Sequence, residues 1–176
     1  MNTTPIFKFA IREDLKDCSA LFLPSKANST DTGYDVRAAF PDRKPLEVLP
    51  GTWLKIPLGF RAIPEEGYWY EIRPRSSTFA KKHLNCLYGV IDYGYRNELV
   101  LACKFEGLRT ITVVPGGSLL QEGITIDFGE ALGQIIPVKL QTMHVQEISN
   151  EEYDIFCKNE NNARTGGFGS SDEKKK

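Results

Sequence analysis

The fold class of this chain is indicated by residues 52–73, TWLKIPLGFRAIPEEGYWYEIR. This segment contains three short runs rich in β-branched and aromatic residues, Thr52–Ile56, Phe60–Ile63 and Tyr68–Arg73. Each run is followed directly by a proline, which cannot donate a backbone hydrogen bond and therefore favours the end of a strand. Short strands bounded by turn residues at a spacing of roughly 8–12 residues are typical of a β-sandwich or barrel.

The same pattern continues beyond this segment. Further candidate strands are Leu99–Phe105, Thr110–Val114 and Gly133–Leu140. Helical periodicity is confined to two short candidates, Thr78–Lys82 and Asn150–Phe156. We therefore predict an all-β fold.

The chain is expected to form a single β domain over residues 1–157, followed by a flexible C-terminal arm at 158–176. Phe168 is the only large apolar residue of the arm, so the arm cannot bury enough surface to offset its ordering entropy. Within the domain, residues 110–127 contain Pro115-Gly116-Gly117 and are predicted to form an extra hairpin or a long ordered loop.

Composition excludes several classes of function. The formal net charge of −1 argues against a surface that binds nucleic acid directly. Four scattered cysteines and two histidines favour free thiols over a zinc site or a disulfide framework. No apolar run approaches the ~20 residues that span a bilayer, and Met1–Ala10 lacks the pattern of a secretory signal. We expect a cytoplasmic protein without membrane contact, with the nucleus left open as an alternative.

Two segments combine groups that suit a phosphate ligand. Arg73–Lys82 holds cations and hydroxyls in a corner that can bind phosphate, or else forms a Ser-capped helix with solvated basic residues. Ala163–Ser171 contains glycines whose backbone N–H groups can approach phosphate closely, although such a segment is more often a linker. A third segment, Gly33–Ala39, is by itself most often a turn that leads into a strand.

Tyr88–Leu99 places the carboxylate of Asp92 between an apolar strand and a turn, and we predict a hairpin with Asp92 at its mouth. Such a carboxylate can accept a proton from water that phosphate and metal have made more acidic, and Tyr95 offers a flat face to a sugar or base. The alternative is a turn aspartate with a tyrosine that packs across strands. Gln134 either donates its amide to phosphate or is an ordinary edge residue.

Taken together and in this order, the segments resemble the five motifs of the dUTPase family, the homotrimeric deoxyuridine triphosphate nucleotidohydrolases. The matching stretches are Gly33–Ala38, Pro74–Ala80, Gly89–Arg96, Gly129–Gln134 and Gly166–Ser171. The resemblance implies a distorted, jelly-roll-like β-sandwich assembled as a homotrimer. It also implies active sites shared between chains, with the C-terminal arm closing over each one.

The resemblance further implies hydrolysis of dUTP to dUMP and pyrophosphate by attack of water on the α-phosphorus, which limits uracil in DNA and supplies dUMP for thymidylate synthesis. Asp92 would be the general base and Tyr95 would lie beneath deoxyribose. The other implied substrate contacts are Arg75, Ser76, Ser77, Cys86, Gly89, Ile91, Gln134, Arg164, Gly167, Phe168, Gly169 and Ser170. The implied cofactor is Mg²⁺ held by the triphosphate, with Asp35 contributing at most through water.

The sequence departs from the family pattern in four places. Ala131 stands where a basic residue is common, and Cys86 stands where some members place an Asn for the base. Arg164 lies four residues before Phe168 rather than five, and the segment Gly107–Gly129 is longer than expected. Two alternative functions are a dCTP deaminase-like enzyme and a dUTPase-like regulatory binding module. The deaminase needs a glutamate on the strand at Leu99–Cys103, where this sequence has no carboxylate.

Overall fold

The computed structural model describes residues 4–107, 112–113, 119–120 and 123–159. The chain divides into two compact units, Met1–Leu140 and Gln141–Lys176. The division therefore falls after Leu140, whereas the sequence-based boundary lies after Cys157. The described part of the second unit contains one helix, α3, over Asn150–Asn159.

The described part of the first unit is built mainly from short strands, which confirms the all-β prediction. The strands are β1 Lys8–Ile11, β2 Tyr34–Arg37, β3 Leu46–Val48, β4 Trp53–Pro57, β5 Phe60–Ile63, β6 Tyr68–Pro74, β7 Leu84–Cys86, β8 Gly89–Ile91, β9 Val100–Phe105, β10 Thr112–Val113, β11 Leu119–Leu120, β12 Ile124–Ile126 and β13 Ala131–Lys139. The helices are a 3₁₀ helix over Glu13–Cys18, α1 over Ser19–Phe22 and α2 over Ser76–Lys82.

Two sheets form the body of this unit. A four-stranded antiparallel sheet has the order β2-β13-β6-β8 and is called the central sheet below. A three-stranded antiparallel sheet has the order β4-β9-β7, and the pairs β1-β5, β12-β3 and β10-β11 complete the described strands. The sequence alternates on β6 and β9, so that one face of each strand is buried.

Side chains from the two larger sheets meet in one hydrophobic core. Tyr70 and Ile72 of β6 and Leu101 and Phe105 of β9 are each at most 2% exposed and belong to the same cluster. Burial of the apolar side chains among these, Ile72, Leu101 and Phe105, stabilises the folded state by about 1.5–3 kcal/mol each. The core therefore fixes how the two sheets face each other.

The turn from β4 to β5 requires glycine at position 59. Gly59 has a φ of +76°, which L side chains rarely adopt. A Cβ there would lie 2.4 Å from Leu15 Cδ1 and 2.8 Å from Ala39 Cβ. The close approach packs the N-terminal 3₁₀ helix against this turn.

The predicted hairpin around Asp92 is wrong. Strand β8 pairs with β6 in the central sheet, whereas β9 pairs with β4 and β7 in the other sheet. The turn itself is present, because the Tyr95 N–H donates to Asp92 O at 3.0 Å. Asp92 therefore begins a connection between two sheets, residues 92–99, which the strand propensities of the local sequence could not distinguish from a hairpin.

Within the described ranges, no helix has the length and apolar character needed to cross a bilayer.

Candidate active site

The register of the central sheet aligns residues from three distant parts of the sequence. Gln134 on β13 lies opposite Asp35 on β2 and opposite Arg73 on β6. One residue beyond the end of β6 is Arg75, which immediately precedes α2. The first, second and fourth segments singled out in the sequence thus meet at one end of this sheet.

Gln134 and Gly33 are packed so closely that any side chain at position 33 would displace that of Gln134. A Cβ there would lie 1.8 Å from Gln134 Oε1, well inside any nonbonded contact distance. The Gln134 Nε2 donates to Pro74 O at 3.3 Å. Glycine at position 33 therefore allows the Gln134 amide to reach the end of β6, where Arg75 begins the next element.

The Arg75 guanidinium points toward the neighbouring strands β2 and β13. Its Nε lies 3.4 Å from Asp35 Oδ1, and its Nη1 donates to Ala131 O at 3.5 Å. Both contacts are long, and the Arg75 side chain is 38% exposed. Since a guanidinium carries five N–H donors in a planar fork, Arg75 retains donors for a phosphate oxygen.

Thr78 fixes the start of α2, a role that the sequence analysis missed. Its side chain is 1% exposed, and its hydroxyl donates to Leu132 O at 2.6 Å. The Arg75 N–H donates to the same carbonyl at 2.9 Å. These two bonds tie the segment that contains Ser76 and Ser77 to β13. The only local signal was a threonine inside a polar run, which is not specific.

An open concavity of about 530 Å³ lies beside α2. Its lining residues are Arg37, Arg75, Ser77, Thr78, Lys81, Lys82, Glu130, Ala131 and Leu132. Lys82 is paired with Glu130 at 2.9 Å, and the Arg37 Nη1 donates to Gly129 O at 2.9 Å. The surplus of cations makes this concavity electropositive, which favours an anionic ligand.

The segment from Cys86 to Ile91 runs along two exposed sheet edges. Strand β7 is the outer strand of the three-stranded sheet, and β8 is the outer strand of the central sheet. An outer strand presents N–H and C=O groups that its own sheet does not pair. The Arg73 guanidinium lies 4.7 Å from the centre of the Tyr88 ring, between the two strands.

A second concavity, of about 420 Å³, borders the start of the segment Cys86–Ile91. Its lining residues are Pro74, Phe79, Leu84, Asn85, Cys86, Leu87 and Tyr88. The edge of β7 and the chain around Pro74 therefore border one space. Its size and its mixture of apolar side chains with backbone groups suit a planar base.

Two thiols meet at the inner side of this segment. Cys86 on β7 lies opposite Cys103 on β9, and neither cysteine forms a disulfide. Interaction with the Cys103 thiol lowers the pKa of Cys86, whereas interaction with Cys86 and burial raise the pKa of Cys103. Cys86 is half-buried and Cys103 is 1% exposed, so the thiol with the lower pKa is also the accessible one.

Asp92 and Tyr95 lie on the exposed connection between β8 and β9. The Tyr95 hydroxyl donates to Glu98 O at 3.3 Å, and the Tyr95 side chain is 37% exposed. Within the described part of the chain, the Asp92 carboxylate accepts no hydrogen bond of its own. Below the connection, burial raises the pKa of Tyr70.

Asp92 is far from Arg75 within one chain. Tyr70 on β6 lies opposite Ile91, the residue before Asp92, and Arg75 comes five residues after Tyr70. With a rise of about 3.3 Å per residue, the two groups are separated by roughly 16 Å along the strand. Along this strand, a single chain therefore keeps the carboxylate away from the end of the sheet where Arg75, Asp35 and Gln134 meet.

The remaining predicted contacts, Arg164, Gly167, Phe168, Gly169 and Ser170, lie outside the described residues. Among the described residues, no group of three or more His, Cys, Asp or Glu side chains is placed to bind a metal.

Comparison with curated proteins gives clear relatives, although no protein-family model matches the sequence. The chain is 30% identical over 156 residues to the deoxyuridine 5′-triphosphate nucleotidohydrolase of Maricaulis maris, an alignment that covers 88% of this chain and 90% of the relative. It is 34% identical over 125 residues to the protein of the same name from Aquifex aeolicus, covering 70% and 73% of the two chains.

Solved structures confirm the fold class. The dUTPase of Staphylococcus bacteriophage 80alpha with dUPNHPP superposes with a TM-score of 0.69 at 20% identity, covering 97% of this chain and 98% of the other. A mutant dUTPase from phage phi11 of S. aureus, in which the coordination of a structural Mg(II) ion was described, gives a TM-score of 0.64 at 22% identity and covers 84% and 99%.

Proposed function

The chain belongs to the dUTPase family, and from that premise we propose that it hydrolyses dUTP to dUMP and pyrophosphate with Asp92 as the general base. The strongest structural support is the convergence of Arg75, Asp35 and Gln134 at one end of the central sheet. The same reaction would limit uracil in DNA and supply dUMP for thymidylate synthesis.

Arg75, Ser76, Ser77 and Gln134 would bind the phosphate chain. A triphosphate carries about three to four negative charges, which must be neutralised before a carboxylate can work beside it. The Arg75 fork has unused donors, and the adjacent concavity is electropositive. The Gln134 amide, placed by Gly33, adds a neutral donor that does not compete with Arg75 for Asp35.

Asp92 would accept a proton from the water that attacks the α-phosphorus. A general base must be within hydrogen-bond reach of its water, and the exposed Asp92 carboxylate is free to take up that position. Tyr95, three residues further along the same connection, would pack beneath deoxyribose, where a 2′-hydroxyl would collide with its ring.

Backbone groups on the outer edges of β7 and β8 would recognise the base. Backbone groups around Cys86, Gly89 and Ile91 can pair with the edge of uracil, and their fixed spacing leaves little room for a thymine methyl. A wrong base would leave buried donors unpaired, which discriminates strongly between substrates. The concavity beside Cys86 supports this placement.

Mg²⁺ bound to the triphosphate would supply charge neutralisation. The Asp35 carboxylate is already engaged by Arg75, and the described residues offer no cluster of metal ligands. This donor set fits an ion held chiefly by phosphate oxygens, with Asp35 contributing through a bound water. Arg164 and the residues Gly167–Ser170 of the arm would then close over the phosphates and place Phe168 on the base.

The separation of Asp92 from Arg75 supports an assembly with shared sites. The base must act at the phosphate chain, yet the two groups are roughly 16 Å apart along β6 in one chain. Asp92 of one chain would therefore serve the phosphate-binding end of another, in the homotrimer implied by the sequence. Exposed apolar side chains such as Trp53 and Val90, at 77% and 63% exposure, give the first unit surface for such contacts.

The free cysteines support an intracellular setting, since reducing compartments keep thiols unpaired.

The proposal is tested by measuring pyrophosphate release from dUTP, dTTP, dCTP and UTP. We expect release from dUTP alone at substantial rate, with loss of about 10²–10⁴-fold in kcat for Asp92→Asn and retained binding of a non-hydrolysable dUTP analogue. Release of ammonia from dCTP would instead establish the deaminase alternative. Nucleotide binding without any turnover would establish a regulatory binding module.

A further inference from the structure

Each of the three guanidinium nitrogens of Arg12 donates a hydrogen bond, so the side chain is held in one orientation. Its Nε and Nη2 donate to the two oxygens of Asp14, at 2.6 and 2.9 Å. Its Nη2 also donates to Ala39 O at 2.8 Å, and its Nη1 donates to Glu98 Oε1 at 2.8 Å. Hydrogen bonds between charged groups at these lengths are the strong ones, and they raise the pKa of Arg12.

Glu98 is fixed from a second direction by the turn between β4 and β5. Its Oε1 accepts the Gly59 N–H at 2.9 Å in addition to the Arg12 contact. The Arg12 N–H donates to Gly59 O at 2.8 Å, so that Arg12, Gly59 and Glu98 form a closed set of bonds. The Arg12 and Glu98 side chains are only 24% and 32% exposed, which limits solvent screening of their attraction.

Glu98 is also the penultimate residue of the connection that carries Asp92 and Tyr95. The Tyr95 hydroxyl donates to Glu98 O. The N–H of the next residue, Leu99, donates to Phe60 O at 3.0 Å. Because β8 and β9 belong to different sheets, no ladder of strand hydrogen bonds holds the two ends of this connection together. Its C-terminal end is held instead by the side-chain contacts of Glu98 and by Leu99, whose O also accepts the Leu58 N–H at 2.9 Å.

We propose that Glu98, clamped by Arg12 and the Gly59 N–H, is a positioning residue that holds Tyr95 in place for recognition of the sugar. This inference rests on the proposed dUTPase activity. Arg12 has the planar fork needed to reach Asp14, Ala39 and Glu98 at once, a geometry that lysine cannot reproduce. The pair therefore acts on substrate through Tyr95 and does not itself touch the reacting atoms.

The experiment compares Glu98→Ala, Glu98→Gln and Arg12→Lys with the wild-type chain. The readouts are the ratio of kcat/KM for dUTP to that for UTP, and the hydrogen-exchange rate of the Tyr95 amide without ligand. For Glu98→Ala we expect the dUTP/UTP ratio to fall by roughly threefold to tenfold, the worth of about one hydrogen bond, with faster exchange at Tyr95. Glu98→Gln keeps an acceptor oxygen and should lose less.

Glu106→Gln is the matched control, because Glu106 is also an acidic partner in an ion pair, with Lys104 at 3.2 Å, but lies at the opposite end of β9. It should change neither readout. If Glu98→Ala and Glu98→Gln lower activity only in proportion to the folded fraction, with an unchanged dUTP/UTP ratio and unchanged Tyr95 exchange, the inference is overturned. A wild-type chain that does not hydrolyse dUTP would refute the proposed function instead, while amide exchange would still test the clamp.

Discussion

Asp92 and Arg75 lie toward opposite ends of strand β6, because Ile91 is registered with Tyr70 while Arg75 follows the last residue of the strand. Both groups are needed at one triphosphate in the proposed reaction. The distance between them, roughly 16 Å along β6, is much longer than any hydrogen bond. Complete sites would therefore combine residues of neighbouring chains.

Mixing two inactive variants should restore activity. Chains of Asp92→Asn and of Arg75→Ala, unfolded together in equal amounts and refolded, should regain roughly a quarter of the wild-type sites, since each site would draw these residues independently from two chains. The measurement is pyrophosphate release from dUTP before and after mixing. Asp92→Asn mixed with Tyr95→Ala is the control, because both residues belong to one connection and should not complement. Equal results for the two mixtures would contradict shared sites.

Replacing Gly33 by alanine should displace Gln134. The added Cβ would lie 1.8 Å from Gln134 Oε1, so we expect a loss of about 1–3 kcal/mol in unfolding free energy, measured in urea, together with weaker dUTP binding. The double variant Gly33→Ala, Gln134→Ala removes the contacts with Gln134 Cδ and Oε1 and leaves only that with its Cβ, at 2.9 Å, so it should recover part of the stability while binding stays weak. Unchanged stability of the single variant would refute this packing.

Thr78→Val should destabilise the start of α2. The substitution keeps the volume but removes the 2.6 Å bond to Leu132 O, at a cost of about 1–2 kcal/mol in unfolding free energy. Thr78→Ser keeps the hydroxyl and should retain most of this stability. Denaturation in urea distinguishes the two, and equal midpoints for both variants would show that the hydroxyl contributes nothing.

Cys86 should react with iodoacetamide before Cys103. The thiolate is the reactive form, and contact with Cys103 lowers the pKa of Cys86. Peptide mass spectrometry across a pH series should show a midpoint for Cys86 below that of an ordinary cysteine, whereas the buried Cys103 stays unmodified in the folded chain. Cys103→Ala should move the Cys86 midpoint upward. Protection of Cys86 by a dUTP analogue would support its place beside the base.

The positions of the strands were predictable because the residues that mark a strand lie within it or at its ends. The strand Phe60–Ile63 has the predicted bounds, and the strand predicted at Tyr68–Arg73 extends by one residue to Pro74. Proline and the alternation of apolar side chains mark such limits within the segment itself. The helix predicted to start at Thr78 begins at Ser76, since the bonds to Leu132 that fix its start come from a distant strand.

Pairing between strands was not predictable from the same signals. The segment around Asp92 has the composition of a hairpin, yet its flanking strands join different sheets. The role of Glu98 was missed for the same reason, because its partners Arg12 and Gly59 are remote in sequence. Gly33 and Gln134 were recognised through the order of the motifs, but their close packing depends on a register that only the folded chain defines.

The register of β6 also has a consequence for how the enzyme responds to dilution. A monomeric enzyme has the same turnover per molecule at any concentration. A chain that holds its carboxylate and its proposed phosphate-binding residues toward opposite ends of one strand would need neighbours, so by mass action its turnover per molecule would fall once the chains separate. Turnover per molecule would then depend on the degree of association. If the concentration of the chain in a cell fell, its total activity would fall more steeply than its concentration.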